Sequence, residues 1–362
     1  MPSAALLTAV LVAIPQESGI SVRLQAVSAA GNGVVWVSGL GGTYGVSVDS
    51  GKSWRPGVVP GAEKLELRDI HAFDERTAYA LSSGTGDQSR IFKTTDGGAS
   101  WSLQIVNPDP PGFFDCFSFW DAEHGLLYGD SVAGELVLFE TSDGKTWTRL
   151  PAERLPGARP GEGGFAASGT CLVTVGESTA YVGTGAGSSR VLRTSDRGRS
   201  FQSFETPIVS AAATAGITSL SFWDEENGIA VGGDIAAPDE RQDNVVVLSD
   251  GGRGARLARP PTFTGTIYGV AHVPGTSPPM VVAVGPKGAS YSIDSARTWV
   301  SLSKDGYWSV GFHPSGVGWM VGPEGRISRL ELRHDQISYA AREAWKEGRF
   351  EGVVTKEGLQ QR

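Results

Sequence analysis

The sequence predicts an all-β fold: a single seven-bladed propeller of four-stranded blades, built on one recurring turn motif and closed by an N-terminal strand. Three observations predict it. A short motif recurs six times. The copies are spaced at about one blade length. The composition, 50 Gly and 20 Pro in 362 residues, suits short strands and many turns.

The cleanest copy of the motif is Thr94-Thr-Asp96-Gly-Gly98-Ala-Ser100-Trp101. Beside it stand Ser47-Val-Asp49-Ser-Gly51-Lys-Ser53-Trp54 and Thr194-Ser-Asp196-Arg-Gly198-Arg-Ser200-Phe201. Thr141-Ser-Asp143-Gly144-Lys-Thr146-Trp147 is one residue short, and Ser292-Ile-Asp294-Ser-Ala296-Arg-Thr298-Trp299 replaces Gly with Ala. Asp250-Gly-Gly252 is a decayed copy without the aromatic residue. The pattern resembles the Asp-box, or BNR, repeat. Its chemistry is that of a hairpin turn. A short Asp side chain accepts hydrogen bonds from N–H groups just downstream. The Gly suits a positive φ, the Ser or Thr hydroxyl bonds back across the turn, and the Trp buries an apolar face. Six such aspartates resemble catalytic acids, but a residue required in every repeat serves the repeat unit.

The box aspartates fall at 49, 96, 143, 196, 250 and 294, in steps of 47, 47, 53, 54 and 44 residues. Each unit has the same order. An apolar inner strand a, such as Cys116-Phe-Ser-Phe119, leads through an acidic turn, Trp120-Asp-Ala-Glu-His-Gly125, to a strand b ending in Gly. Strand c enters the box and strand d leaves it. A seventh unit, Tyr307 to about Glu331, has no box and lacks a fourth strand, which Ile20-Ser-Val-Arg-Leu24 is expected to supply. Shared terminal strands would leave no free edge. The propeller is therefore expected over 19–332. Residues 1–18 read as a signal peptide and 333–362 as a charged tail.

The apolar run 4–14 is too short for a membrane span and right for a signal-peptide core, although it has no preceding Lys or Arg. Export to the periplasm or outside the cell is expected. In the tail, Ile337, Ala341, Ala344 and Trp345 share one face at helical spacing. The two cysteines lie on inner strands of adjacent blades. Aligning the strand-b ends sets Cys116 opposite Thr170, one step from Cys171, and one step changes face. Two buried free thiols are expected.

The net charge of −8 argues against a nucleic-acid footprint. Seven arginines lie between 149 and 199, namely Arg149, Arg154, Arg159, Arg190, Arg193, Arg197 and Arg199, and are candidates for a local basic patch on blades three and four, against the alternative of a scattered solvated surface. The loop 233–244 is acidic, so Asp234, Asp239 and Asp243, with Asp130 in the shorter loop 129–135, are candidates for ligand capture. Asp69, Asp115 and Asp130 are candidate carboxylates for glycoside hydrolysis on one rim. The histidines show no ligand spacing and there is no Cys-x-x-Cys, so no metal is expected. No phosphate loop or nucleophile elbow occurs, and no cofactor is implied.

Box, hairpin and blade count together resemble the photosystem II stability/assembly-factor propellers over roughly 20–332. The resemblance implies an exported, monomeric, non-catalytic scaffold that binds protein partners through an arginine-rich patch, for which Arg154, Arg159 and Arg190 are the positions that carry over. The alternative is a glycan-active hydrolase or carbohydrate-binding propeller. Asp-box propellers include sialidases, but their N-terminal Phe/Tyr-Arg-Ile-Pro signature is absent.

Overall fold

The computed structural model describes residues 7–31, 33–336, 352–355 and 358–361. It forms a seven-bladed propeller of four-stranded antiparallel sheets. Blade one comprises Leu24–Gly31, Val34–Gly39, Thr43–Ser47 and Arg55–Val58. Blade two comprises Leu67–Ala72, Ala78–Ser82, Arg90–Thr94 and Ser102–Val106, and blade three begins at Phe114–Phe119 and ends at Thr148–Arg149. The inner strands of blades four to seven are Leu172–Val175, Ala215–Phe222, Gly269–Val273 and Ser309–Phe312.

A blade in such a ring has a neighbour on each face, so both sets of alternating side chains are apolar. Val34–Gly39 and Phe114–Phe119 are buried at every position. The core is a set of layers between blades. Trp36, Tyr44, Ile70 and Phe92 join blades one and two. Tyr79, Ile91, Phe117 and Leu127 join two and three. Leu24, Val37, Trp319 and Ile327 join blade one to blade seven and so close the ring. Trp36 and Trp319 are among the largest fully buried side chains, and truncating one to Ala would cost about 3–5 kcal/mol.

Polar latches run across the same layers. Tyr44 donates its hydroxyl to the Gly98 carbonyl of the next blade at 2.8 Å, and Tyr79 donates to Gly144 at 2.6 Å. Both acceptors sit in Asp-box turns. The boxes bond as their residue types require. In the copy at Asp96, Ser100 N–H and Ser100 hydroxyl donate to the two carboxylate oxygens at 2.9 and 2.5 Å, while Gly98 N–H donates to Thr94 Oγ1 at 3.0 Å. The same set recurs at Asp49, Asp196 and Asp294. Ala296 takes the Gly position at φ 63°, a conformation a Gly adopts without strain. The shortened box at Asp143 keeps bonds from Lys145 and Thr146 N–H. Asp250 has lost them and its carboxylate meets Arg253 instead. The box aromatics pack: Trp101 sits against Tyr44 at 5.2 Å, Trp147 is buried, and the indoles of Trp54 and Trp299 donate to Gly51 and Arg259 carbonyls.

Two expectations are corrected. The closing strand is Leu7–Gln16, not Ile20–Leu24; the order of blade seven is Leu7–Gln16, Ile327–Gln336, Gly318–Val321, Ser309–Phe312. Leu24 already opens the inner strand of blade one. An outer strand lies three strand spacings, about 14 Å, from the channel, and a closing strand ending at Leu24 would leave no residues to cross that distance. Glu17–Arg23 make the crossing, held by Gly325 N–H on the Val22 carbonyl at 2.7 Å and Leu24 N–H on Gly322 at 2.9 Å. The apolar run expected as a leader thus supplies this strand, with Leu11 buried. Second, Cys116 and Cys171 form a disulfide with Cα atoms 6.0 Å apart. Cys171 sits in a bend just before Leu172–Val175, so strand alternation does not govern its direction. The helix candidate at Ile337–Trp345 falls outside the described residues.

The chain divides into two compact units, Ala13–Leu330 and the two chain ends. Within the second unit, Gly352–Thr355 and Gly358–Gln361 form a hairpin.

Two outcomes are expected. A chain starting at Gly19 should melt lower and aggregate more than one starting at Met1, because Ile327–Gln336 becomes a bare edge. Equal melting temperature and solubility would show that blade seven needs no such strand. The second concerns the boxes. Hydrogen bonds from Ser53 to Asp49, and from Ser100 to Asp96, hold these carboxyls down at about 2, and Thr146 and Lys145 N–H do the same for Asp143. A depressed carboxyl stabilises the fold above about pH 4 and loses that contribution as pH falls toward 2. Asp96→Asn should therefore lower the melting temperature at pH 6 and flatten its decline between pH 4 and 2. An unchanged decline would sink this account of the box.

Candidate functional site

Inner strands begin on the face opposite the boxes, around the channel mouth. Their starts are bulged. The register slips between Leu24 and Ala26, leaving Gln25 extra, and between Leu67 and Asp69, leaving Arg68 extra. Blades six and seven do the same: Tyr268 and Gly269 both face Val284, and Trp308 and Ser309 both face Val321. A bulge re-aims the extra side chain. Here four of them, with Arg23, Phe165, Ala166, Ala167 and Ile235, line a cavity of about 220 Å³.

The cavity is both basic and aromatic. Arg23 lies over the Trp308 ring at 5.2 Å, and Trp308 meets Tyr268 edge-on at 5.2 Å. Arg68 binds Glu66 through Nε and Nη2 at 2.9 and 2.6 Å, and Arg23 reaches the same carboxylate at 3.7 Å. Two guanidinium groups thus share one acid. Ile235 is one of the few large apolar side chains left exposed, at 43%.

None of these residues was singled out from the sequence. Gln25, Arg68, Tyr268 and Trp308 occupy one repeated position at the start of an inner strand, and lining up that position blade by blade would have exposed those four together.

The expected arginine patch does not assemble as a free surface. Arg190 is buried and makes a bidentate pair with buried Glu162, Nε to Oε1 at 2.7 Å and Nη2 to Oε2 at 2.5 Å. Burial opposes ionisation of Glu162, but the Arg190 guanidinium outweighs it and holds the carboxyl below its usual range. Arg154 pairs with Glu140 at 3.0 Å and Arg159 with Glu205. All three are neutralised by partners distant in sequence.

The acidic loop is likewise internally occupied. Asp234 accepts the Ala236 N–H at 2.9 Å, Asp239 pairs with Lys287, and Asp243 lies at φ 50° with its carbonyl accepting Val209 N–H. The loop's contribution to the mouth is Ile235.

Two of the three candidate carboxylates, Asp115 and Asp130, anchor the loop 163–169, and Asp69 instead holds the inner strand of blade three. Asp130 accepts Gly164 N–H at 3.1 Å, Asp69 accepts Phe117 N–H at 2.9 Å, and Gly164 and Ala166 N–H reach Asp115. A Cβ on Gly163, Gly164 or Gly169 would overlap Asp130, Asp115 or Asp69 respectively. Asp69 and Asp115 are buried. Burial pushes both carboxyls well above the usual range, with the Asp130 charge adding to it at Asp115 and Arg68 partly offsetting it. Burial raises Asp130 as well. Acids packed beneath a loop have no open face for a sugar. Among the described residues no group of three or more His, Cys, Asp or Glu is placed to hold a metal ion.

A carboxyl raised by folding contributes most below its unfolded value near 4 and loses that contribution as pH climbs through the folded value. Asp115→Asn keeps the neutral shape without the charge. The mutant's melting temperature relative to wild type should rise steadily from pH 4 to pH 8. A difference that stays flat or falls would contradict the buried-acid assignment.

No family model and no curated protein matches the chain. Solved structures do. YCF48 bound to D1 peptide superposes with a TM-score of 0.61 at 13% identity, over 91% of this chain and 96% of that one. YCF48 from Cyanidioschyzon merolae gives 0.60 at 16% identity, over 88% and 99%. At these identities the likeness is one of fold, and the chain is a seven-bladed propeller similar in fold to the two YCF48 structures.

Proposed function

We propose that this chain is a non-catalytic, protein-binding propeller of the assembly-factor type, and that it takes its partner at the channel mouth. One observation carries the reading. The mouth joins two arginines to Tyr268, Trp308, Phe165 and exposed Ile235. Arginine and aromatic side chains are the types that anchor protein interfaces. A structural relative solved with a bound peptide supports a polypeptide partner. The glycosidase alternative loses its candidate acids, because Asp69 and Asp115 are packed inside. We also place the protein in an oxidising compartment outside the cytoplasm, on the strength of the Cys116–Cys171 disulfide.

Site-specific photocross-linking tests the mouth. A cross-linker at Ile235 should capture a polypeptide from the native host. The same probe at Val48 or Ile293, equally exposed beside the boxes, should capture none. Equal capture at all three positions would remove the mouth from the reading. Turnover of sialosides or β-glucans by the purified protein would replace the reading altogether.

A further inference from the structure

The mouth contains a polar group with no internal role. Gln25 is 2% exposed, and its side-chain Oε1 is buried without a hydrogen-bond partner. Leaving a buried amide oxygen unpaired costs about 1–3 kcal/mol. The bulge that displaces Gln25 from the pleat creates that deficit. Next to it, Arg23 Nε is also buried and unpartnered. Two side chains that line the cavity thus carry buried atoms with unmet bonds, an acceptor in want of an N–H on Gln25 and a guanidinium donor in want of an acceptor on Arg23.

The surrounding charge points the same way. Among the described residues Glu66 is the carboxylate that Arg23 and Arg68 both pair with, and Asp115, which also feels Arg68, has its charged form disfavoured by burial, so the pair retains an excess positive charge. Arg23 is held in place by the Trp308 ring. The remaining walls are apolar, from Phe165, Ala166 and Ile235. At about 220 Å³ the cavity is smaller than the roughly 300 Å³ at which drug-sized ligand sites begin, and it suits a single residue.

We propose that the mouth captures the free C-terminal residue of a polypeptide. Its α-carboxylate would lie on Arg23 and Arg68, its backbone N–H on Gln25 Oε1, and its apolar side chain against Phe165 and Ile235. Each element answers an unmet group: the carboxylate matches the arginine excess through charge-assisted bonds, and the amide satisfies the orphaned acceptor. Capture of a terminal carboxylate is an established mode of peptide recognition. The inference rests on the mouth being the partner site, and it adds which part of the partner enters. The same arginines would also accept an internal Asp or Glu side chain, so the experiment separates the two sources.

Fluorescein-labelled hexapeptides and full-length purified protein provide the test by fluorescence polarisation. The probes are Gly-Gly-Ser-Gly-Gly-Leu as free acid, the same peptide as C-terminal amide, and Gly-Gly-Glu-Gly-Gly-Leu as amide. The free acid should bind at least tenfold more tightly than either amide. Arg68→Gln should abolish that preference. Gln25→Leu, close in size and without the acceptor, should weaken the free acid several-fold while the melting temperature holds or rises. Arg23→Lys, a milder change, should reduce the preference without loss of fold. Equal binding of acid and amide, or tightest binding of the glutamate peptide, would overturn the proposal and leave the mouth as a partner site. Absence of binding by all three at millimolar concentration would overturn it too. Cross-linking at Ile235 then decides separately whether the mouth binds protein at all.

Discussion

A blade of this protein has two apolar faces, and neither is stable in water. Everything else follows from burying both. One face of each sheet must meet a neighbour, the neighbour has a second face of its own, and the series ends only when the last sheet meets the first. The layer of Leu24, Val37, Trp319 and Ile327 is where it ends. The boxes serve this arrangement from outside. They fix each c–d turn by local bonds, and the turns of blades two and three then accept the tyrosine hydroxyls of the preceding blades. Local geometry and the stacking of blades are thereby joined through a few carbonyl groups.

The same ring creates the mouth. Inner strands converge at the channel, where regular pleating would point alternate side chains into the inter-blade layers. Bulges at the starts of several inner strands each release one residue from that obligation. Residues so released are free to differ between blades, and here they include Gln25, Arg68, Tyr268 and Trp308. Buried acids support the arrangement from one side. Asp115 and Asp130 tie down the loop that brings Phe165 and Ala166 to the cavity, and Asp69 packs against its Gly169. The loop's glycines leave room for those acids, since any side chain there would collide with a carboxylate.

What was legible in the sequence was local. The box reads directly because its bonds span four residues, Asp96 to Ser100, and the period of the boxes gave the blade count. Blade closure by a terminal strand was legible in principle, but its address was not. An apolar run such as 7–14 has the same composition as a leader and as a buried edge strand. The pairing of the candidate arginines was hidden for another reason. Glu140, Glu162 and Glu205, which neutralise Arg154, Arg190 and Arg159, lie 14 to 46 residues away in the chain. The disulfide was misjudged because pleat alternation was applied to Cys171, which precedes its strand. The mouth escaped notice because bulges are properties of paired strands and leave no mark in either strand alone.

Closure by Leu7–Gln16 also orders events during biosynthesis. This strand leaves the ribosome before blades one to six, and its partner, Ile327–Gln336, after them. Blades one to six can form as they emerge, each from contiguous sequence. The N-terminal strand must wait unpaired throughout, an apolar segment with open backbone groups, until the seventh sheet is synthesised. Translation rate therefore sets how long the nascent chain carries an aggregation-prone end, and a factor that shields those ten residues during synthesis would raise the yield of closed rings.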